Sequence, residues 1–339
     1  MKSILLTLLK WGATLLIFVF LFYRAASNGA LRGFWEVQKE WSFLFFGFCA
    51  LLGAVLLTFI RWKGLAEALG VVLSVRGALR LGFIGYLFNF LPMGIVGGDV
   101  VKGVLLAREN PHSKTACAVS VVMDRVIGLY VMFLIGLTAA VATGLWREPQ
   151  KEARLACQAI FWLTVLSSLF LALFLVPPSG KDRRRRLCRA VPGIGGFLFS
   201  LYDAVARYRG RPDVLLGAAL ETVGVHVLQS IGIWFLACGL WGRAPSPLSH
   251  LAVYPLANLG AMIPLSAGPL EFFLDQLYPL FPCTDGSFYV HGDGLMVGVT
   301  YRLAALAIAA IGGIYFLISR SQIGAALAAE KDHAEGDSV

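Results

Sequence analysis

Six long apolar segments constrain the fold of this chain more than any other feature of its sequence. A membrane-crossing helix needs about 20 predominantly apolar residues, and residues 4–22, 41–60, 116–146, 156–176, 214–241 and 296–318 meet that requirement. Only 14% of the 339 residues are charged, whereas a soluble domain carries about 25%. The sequence therefore predicts an all-α polytopic membrane protein with about six transmembrane helices. It excludes a soluble, disordered or disulfide-scaffold protein.

Two further apolar segments, 79–106 and 251–281, are interrupted in the middle by residues that break helices. The predicted breaks are Pro92, Gly97 and Gly98 in the first segment, and Pro264, Gly268 and Pro269 in the second. Proline and glycine disfavour a continuous helix, and backbone freed at membrane depth must be buried in protein or line a wet cavity. We therefore predict that each segment is a re-entrant helical hairpin.

The loop charges predict how these elements are oriented. Arg61 and Lys63 follow the second apolar segment, Lys114 precedes the third, and the basic run 181–189 follows the fourth. Basic loops remain in the cytoplasm, so we predict cytoplasmic termini, a first hairpin that opens inward and a second that opens outward. The basic run also provides an expected surface for anionic lipid, formed by Arg183, Arg184, Arg185 and Arg186.

This arrangement divides the chain into two halves of opposite orientation. Residues 1–146 are the predicted first repeat and 147–320 the second, which is the pattern of inverted-topology transporters. Asn89 in the first hairpin corresponds to Asn258 in the second, and each hairpin contains an acid and is followed by a span with an arginine. The polar residues 321–339 are predicted to be a disordered cytoplasmic tail.

Ionisable side chains within the membrane are costly and mark functional sites. We predict that Asp99 pairs with Arg125 and Glu271 with Arg302, because each acid lies at a depth similar to that of its arginine; Lys102 is at helical pairing distance from Asp99. Either the pairs only fix each hairpin to the following helix, or the arginines bind phosphate, which guanidinium geometry favours. Removing Asp99 is predicted to cost about 3–5 kcal/mol if Arg125 stays buried without a partner.

The remaining chemistry-bearing residues give weaker signals. His226 and Glu221 lie five residues apart and so do not share a helix face; His226 is either a polar core residue or a proton relay. The chain has no phosphate-binding loop or hydrolase motif, and its six cysteines lack metal or disulfide spacing. We expect no catalytic residue, no metal, no cofactor and no nucleic-acid partner.

Two stretches resemble a known family. PMGIVGGDVVKGVLLARE, followed by VVMDRVIGLYVM, is similar to the flippase-like transmembrane domain of lysylphosphatidylglycerol synthases and of stand-alone proteins related to it. Pro92, Gly97, Gly98, Asp99 and the pair Asp124-Arg125 match the family pattern. Lys102 stands where the family usually has arginine, and the second motif, 263–271, departs from the pattern at Ala267 and Pro269.

The resemblance implies a polytopic lipid-translocating domain. The family's synthases also carry a soluble aminoacyl-transfer domain at the C-terminus, whereas this chain ends about twenty residues after its last span, so we expect no aminoacyl transfer from it. The expected function is a flippase or transporter of an anionic or amphiphilic lipid in the cytoplasmic membrane. The alternative is a membrane-embedded enzyme, or an accessory subunit, that acts on lipid-linked substrates.

The expected head-group site lies between the two hairpins. Its predicted residues are Asn89, Asp99, Lys102, Arg125, Asn258, Ser266, Glu271 and Arg302. Membrane lipids are the expected partners, and a lipid-synthesising enzyme or a second copy of the chain are further candidates.

Overall fold

The computed structural model describes residues 2–90, 94–175, 195, 206–263, 265 and 267–336. Over these residues the chain is helical, and its β-structure is limited to two isolated bridges. The α-helices are α1 (Lys2–Ser27), α2 (Ala30–Glu36), α3 (Trp41–Ala68), α4 (Val75–Phe88), α5 (Gly94–Glu109), α6 (Lys114–Ala142), α7 (Lys151–Leu175), α8 (Pro212–Trp241), α9 (Pro247–Asn258), α10 (Pro269–Leu277) and α11 (Asp293–Gly336). The predicted all-α fold is confirmed.

Five of the described helices are long and apolar enough to cross a membrane: α3, α6, α7, α8 and the first part of α11. A sixth candidate is α1 together with α2, which bend by 71° relative to each other. Gly29 lies at this bend with φ 75°, a left-handed conformation that glycine adopts without steric cost. The structure therefore matches the predicted polytopic membrane architecture.

The last helix continues further than the sequence suggested. It extends through Gly336, so residues 321–336 are helical where we predicted a disordered tail. Alanine, glutamate and lysine have high helix propensity, and they make up most of the segment 325–335, AALAAEKDHAE. Several predicted residues lie outside the described part of the chain: Pro92, Pro264, Ser266, Arg183, Arg184, Arg185 and Arg186.

The first interrupted segment forms two short helices, α4 and α5, that run antiparallel. Asn110, after α5, donates from Nδ2 to the carbonyl oxygen of Val72, before α4, and accepts from the amide of Val72, both at 3.3 Å. The chain therefore enters and leaves this pair at the same end. Nearer the break, a methyl group added to Gly98 would overlap the carbonyl oxygen of Gly85 and the side chain of Asn89.

This contact corrects the predicted position of the first break. Gly97 and Gly98 lie inside α5, which begins at Gly94, and α4 already ends at Phe88. Glycine costs a helix only about 1 kcal/mol relative to alanine, and the absence of a side chain at Gly98 allows the two helices to cross closely. Neither glycine therefore breaks the helix, and Gly98 serves close packing.

The second interrupted segment also forms an antiparallel pair, α9 and α10. Helix α9 is followed by a 3-10 turn, Leu259–Met262, and α10 begins at Pro269 after Gly268, whose φ is 104°. Proline at the first helical position is favourable, so Pro269 starts a helix and Gly268 terminates the break. The amide of Thr284 donates to the carbonyl oxygen of Ala244 at 3.1 Å, so this pair also begins and ends on one side.

The two helix pairs open toward opposite ends of the bundle. Helices α3 and α8 pack antiparallel along their lengths, since the amide of Glu40 donates to Gly239 at 2.9 Å and Arg61 bonds to Thr222 at 2.9 Å. The first pair opens beside the C-terminal end of α3. The second opens beside the C-terminal end of α8, which is the N-terminal end of α3. The interrupted middles of both pairs therefore face the centre of the bundle.

Candidate functional site

A cavity of about 250 Å³ lies between the two helix pairs. Six of the eight predicted head-group residues line it: Asn89, Asp99, Lys102, Arg125, Asn258 and Arg302. Glu271 lies directly behind Arg302, and Ser266 is outside the described residues. The structure thus brings together side chains that are up to about 200 positions apart in sequence, and both helix pairs contribute to one cavity.

The predicted pair between Asp99 and Arg125 is confirmed. Arg125 Nε donates to Asp99 Oδ2 at 2.8 Å, and Arg125 Nη2 contacts the same oxygen. Lys102 Nζ lies 3.4 Å from Asp99 Oδ1, as the spacing of three residues predicted. The side chain of Arg125 is nevertheless 42% exposed. Its guanidinium is therefore available to a ligand in the cavity.

The predicted pair between Glu271 and Arg302 is also confirmed. Arg302 Nε donates to Glu271 Oε1 at 2.7 Å, and the other carboxylate oxygen accepts from the amide of Gly268 at 2.8 Å. Glu271 is fully buried, and Gly298 of α11 packs against it. The acid thus stabilises the first turn of α10 and connects it to α11.

A third group of charges was missed from the sequence. Arg61 Nε donates to Asp124 Oδ1 at 2.8 Å, and Lys102 Nζ donates to Asp124 Oδ2 at 3.2 Å. Lys102 Nζ also lies 4.7 Å from the centre of the Trp62 ring, a cation–π distance. Arg61, Lys102 and Asp124 are nearly fully buried, so this cluster joins α3, α5 and α6 in the interior.

Our assignment of Arg61 to a cytoplasmic loop is wrong. The apolar run ends at Ile60, but α3 continues to Ala68, which places Arg61 about two turns before the helix end. The adjacent residues Asp124 and Arg125 point in different directions, so Asp124 required a second buried cation. That requirement was the sequence signal that could have identified Arg61.

Aromatic and neutral polar residues complete the wall. Tyr86, Tyr254 and Tyr301 line the cavity, as do His226 and Gln229. His226 Nε2 is 3.2 Å from the carbonyl oxygen of Gly128. These groups add hydrogen-bonding capacity to the cavity. Among them only His226 was considered from the sequence, as a polar core residue or a proton relay.

The charge around the cavity is unbalanced. Among the described residues that line it, four are basic (Arg61, Lys102, Arg125 and Arg302) and two are acidic (Asp99 and Asp124). Glu271 pairs with Arg302 from behind, so the wall itself carries two more basic than acidic side chains. Basic side chains in a poorly hydrated interior attract an anion strongly. The cavity is therefore suited to a negatively charged group.

Comparison with known families agrees with the resemblance noted in the sequence. The profile of a family described as lysylphosphatidylglycerol synthase TM region matches residues 3–313. The chain belongs to this family. No curated protein and no solved structure matches the chain. Membership in the lysylphosphatidylglycerol synthase transmembrane family indicates a membrane-lipid-related role. The matched residues include both helix pairs and the whole cavity.

Proposed function

We propose that this protein is a lipid transporter that moves a lipid with an anionic head group between the leaflets of the cytoplasmic membrane. The observation that carries the proposal is the cavity between the two helix pairs, with its excess positive charge and its two partly exposed arginines. Ionisable residues at membrane depth are retained where they serve a pathway or a ligand. The family supports a lipid as that ligand.

In this proposal Arg125 and Arg302 bind the head-group phosphate. A guanidinium presents paired N–H donors that match phosphate oxygens. Each arginine can leave its acid at limited cost, because the acid keeps another partner. Asp99 stays 3.4 Å from Lys102, and Glu271 keeps its hydrogen bond from Gly268. The acids therefore hold the arginines when the site is empty and release them when phosphate arrives.

The helix pairs serve as the two gates in this mechanism. They open toward opposite ends of the bundle, which supports the interpretation of both as re-entrant hairpins in an inverted repeat. Movement of one half against the other would then expose the cavity alternately to each leaflet. We propose cytoplasmic termini, with the first pair open to the cytoplasm. Membrane lipids are the proposed partners, and an enzyme that synthesises the transported lipid would supply the cargo.

Transport fits the acids better than catalysis does. In the alternative, Asp99 or Glu271 would be the acid or base of a membrane-embedded enzyme. Each is bound by an arginine at 2.8 Å or less, and its second oxygen faces Lys102 in one case and the amide of Gly268 in the other, so neither carboxylate has an oxygen left free for a reacting group. We therefore propose that the protein is not an enzyme.

The test is lipid translocation by purified protein in proteoliposomes, measured with a fluorescent anionic phospholipid. Arg125→Lys and Arg302→Lys keep the charge but lose the paired donors, so we expect each to lower the rate about tenfold or more while the protein still folds. Arg32→Lys is the matched control, since Arg32 forms an exposed pair with Glu36 far from the cavity.

Two results would contradict the proposal. If both cavity variants fold and move lipid at the wild-type rate, the arginines only stabilise the helix pairs. If the wild type moves no lipid across a panel of anionic and zwitterionic head groups, transport is the wrong function and the enzyme alternative is favoured.

A further inference from the structure

A buried acid joins the second helix pair to α11 and to α1. Asp275, on α10, is 1% exposed. Its Oδ1 accepts hydrogen bonds from the backbone amides of Gly292 and Leu295, around the start of α11. Its Oδ2 is buried without a hydrogen-bond partner among the described residues, although Arg24 Nη1 on α1 lies 3.8 Å away. Because buried polar atoms are normally hydrogen-bonded, this oxygen is able to take a further positive partner.

A histidine lies next to this oxygen. His291 Nδ1 is 3.7 Å from Asp275 Oδ2 and 3.1 Å from the backbone carbonyl oxygen of Asp275. A carbonyl oxygen only accepts, so in the neutral ring Nδ1 carries the proton and Nε2 is the nitrogen that can bind a second one. The His291 side chain is 33% exposed, so protons from water can reach it. Histidine ordinarily changes its charge between about pH 5 and pH 8.

The charges around His291 can accommodate one more positive charge. Three charged side chains surround it, one on each adjacent helix: Arg24 on α1, Asp275 on α10 and Asp293 on α11. One base against two acids leaves one negative charge. The charged groups of the adjoining loops and of α2 are already paired among themselves: Arg243 with Asp285 through the Ser287 hydroxyl, and Arg32 with Glu36. A protonated His291 therefore neutralises the cluster.

We propose that His291 and Asp275 form a proton-binding site on the outward side of the bundle, and that proton binding there holds the second helix pair closed. The inference rests on the proposed function, since it assumes that this pair is a gate. Protonation of histidines at an interface is an established way in which proteins sense pH. The site is separate from the cavity, because neither residue is among those that line it.

The proton acts on the contact between α10 and α11. The two helices cross closely here, since a methyl group on Gly294 would lie 2.6 Å from the carbonyl oxygen of Leu274. A positive charge on His291 attracts the Asp275 carboxylate across this contact, and the attraction is strong because Asp275 is shielded from water. Outward opening of the pair separates α10 from α11 and loses that attraction. Acid therefore favours the closed pair.

The first measurement does not require transport. Wild-type protein and His291→Gln are unfolded by heat in detergent at about pH 5.5 and at about pH 8. Glutamine keeps a donor for the Asp275 carbonyl oxygen but cannot become charged. We expect the melting temperature of the wild type, relative to that of His291→Gln, to be about 2 °C or more higher at the acidic pH. His112→Gln replaces an exposed histidine after α5; as the matched control, it should show no such change.

The second measurement follows translocation of a fluorescent anionic phospholipid in proteoliposomes at the same two pH values. We expect wild-type protein to be about fivefold or more slower at the acidic pH, a typical strength of coupling between two sites. His291→Gln should be nearly as fast at one pH as at the other. His291→Lys, which places a fixed positive charge beside Asp275, should be slow at both. When all molecules are inserted in one orientation, acid on the side toward which the second pair opens should suffice.

The outcomes separate the two proposals. A melting-temperature difference that is the same at both pH values would overturn the proton site, as would a His291→Gln variant that keeps the full pH dependence of transport. Wild-type protein that moves lipid equally fast at both pH values would overturn the control of the gate. Wild-type protein that moves no lipid, yet shows the expected melting-temperature shift, would refute transport and leave the site intact. If His291→Gln does not fold, His291→Lys decides, because any pH dependence of transport that it retains would contradict the proposal.

Discussion

Replacing Asp124 with asparagine tests the buried charge cluster directly. The change preserves the size of the side chain but removes its negative charge. Arg61 and Lys102 contact Asp124 at 2.8 Å and 3.2 Å, and the three side chains are each less than a tenth exposed. The variant therefore leaves two cations facing each other around a neutral amide in the interior.

The magnitude follows from burial. Breaking a buried pair by removing one partner costs about 3–5 kcal/mol. Arg61 loses its acid here while Lys102 keeps Asp99 at 3.4 Å, so we expect a loss within that range. Asp99→Asn should cost only about 1 kcal/mol, because its partner Arg125 is 42% exposed and exposed pairs contribute little. This reverses the larger cost that we predicted for Asp99 from depth alone.

The free energy of unfolding of both variants is compared with that of the wild type by titrating the detergent-solubilised protein with a denaturing detergent. Glu67→Gln is the matched control, since Glu67 forms a pair with Lys63 on the surface of α3 and should cost less than about 1 kcal/mol. The double variant Asp124→Asn with Arg61→Met should be less unstable than the two single losses added together. The reasoning fails if Asp124→Asn is no more destabilising than Glu67→Gln, or if the losses are strictly additive.

Two further predictions concern the helix pairs. Gly98→Ala should destabilise the protein by about 1–3 kcal/mol and lower transport, because the added methyl overlaps Gly85 and Asn89. Gly103→Ala on the same helix meets only an ordinary contact at 3.5 Å and should be neutral in the same unfolding assay. Equal effects of the two variants would contradict the close crossing. With the native cysteines replaced, Pro111→Cys should be protected from an impermeant thiol reagent in intact cells and Asp285→Cys should be labelled. Labelling of both from the same side would refute the opposite orientation of the pairs.

The membrane spans and the two ion pairs at the cavity could be predicted because they depend on properties that can be read directly from the sequence. The length of an apolar run measures whether it can cross a bilayer, and five predicted spans have counterparts among the helices of sufficient length. The pairing of Asp99 with Arg125, and of Glu271 with Arg302, followed from the similar membrane depth of each acid and its arginine. Depth along a helix is fixed by the rise per residue.

What could not be predicted depends on where a helix ends and what it packs against. Arg61 stands at the end of an apolar run, which is also the usual position of an interfacial anchor, and only the continuation of α3 to Ala68 places it in the interior. Gly97 and Gly98 have the composition of a break, yet they lie within α5. A glycine that ends a helix and one that permits a close crossing look alike in sequence.

Lys102 connects the structural cluster to the ligand-facing pair. Its ammonium is 3.2 Å from Asp124 and 3.4 Å from Asp99, so it is shared between an acid that holds α3 and an acid that holds Arg125. In the proposed mechanism, a phosphate takes Arg125, and Asp99 then loses its closest cation and attracts Lys102 more strongly. Asp124 then relies more on Arg61. We expect occupancy of the cavity to be transmitted in this way to the contact between α3 and α6.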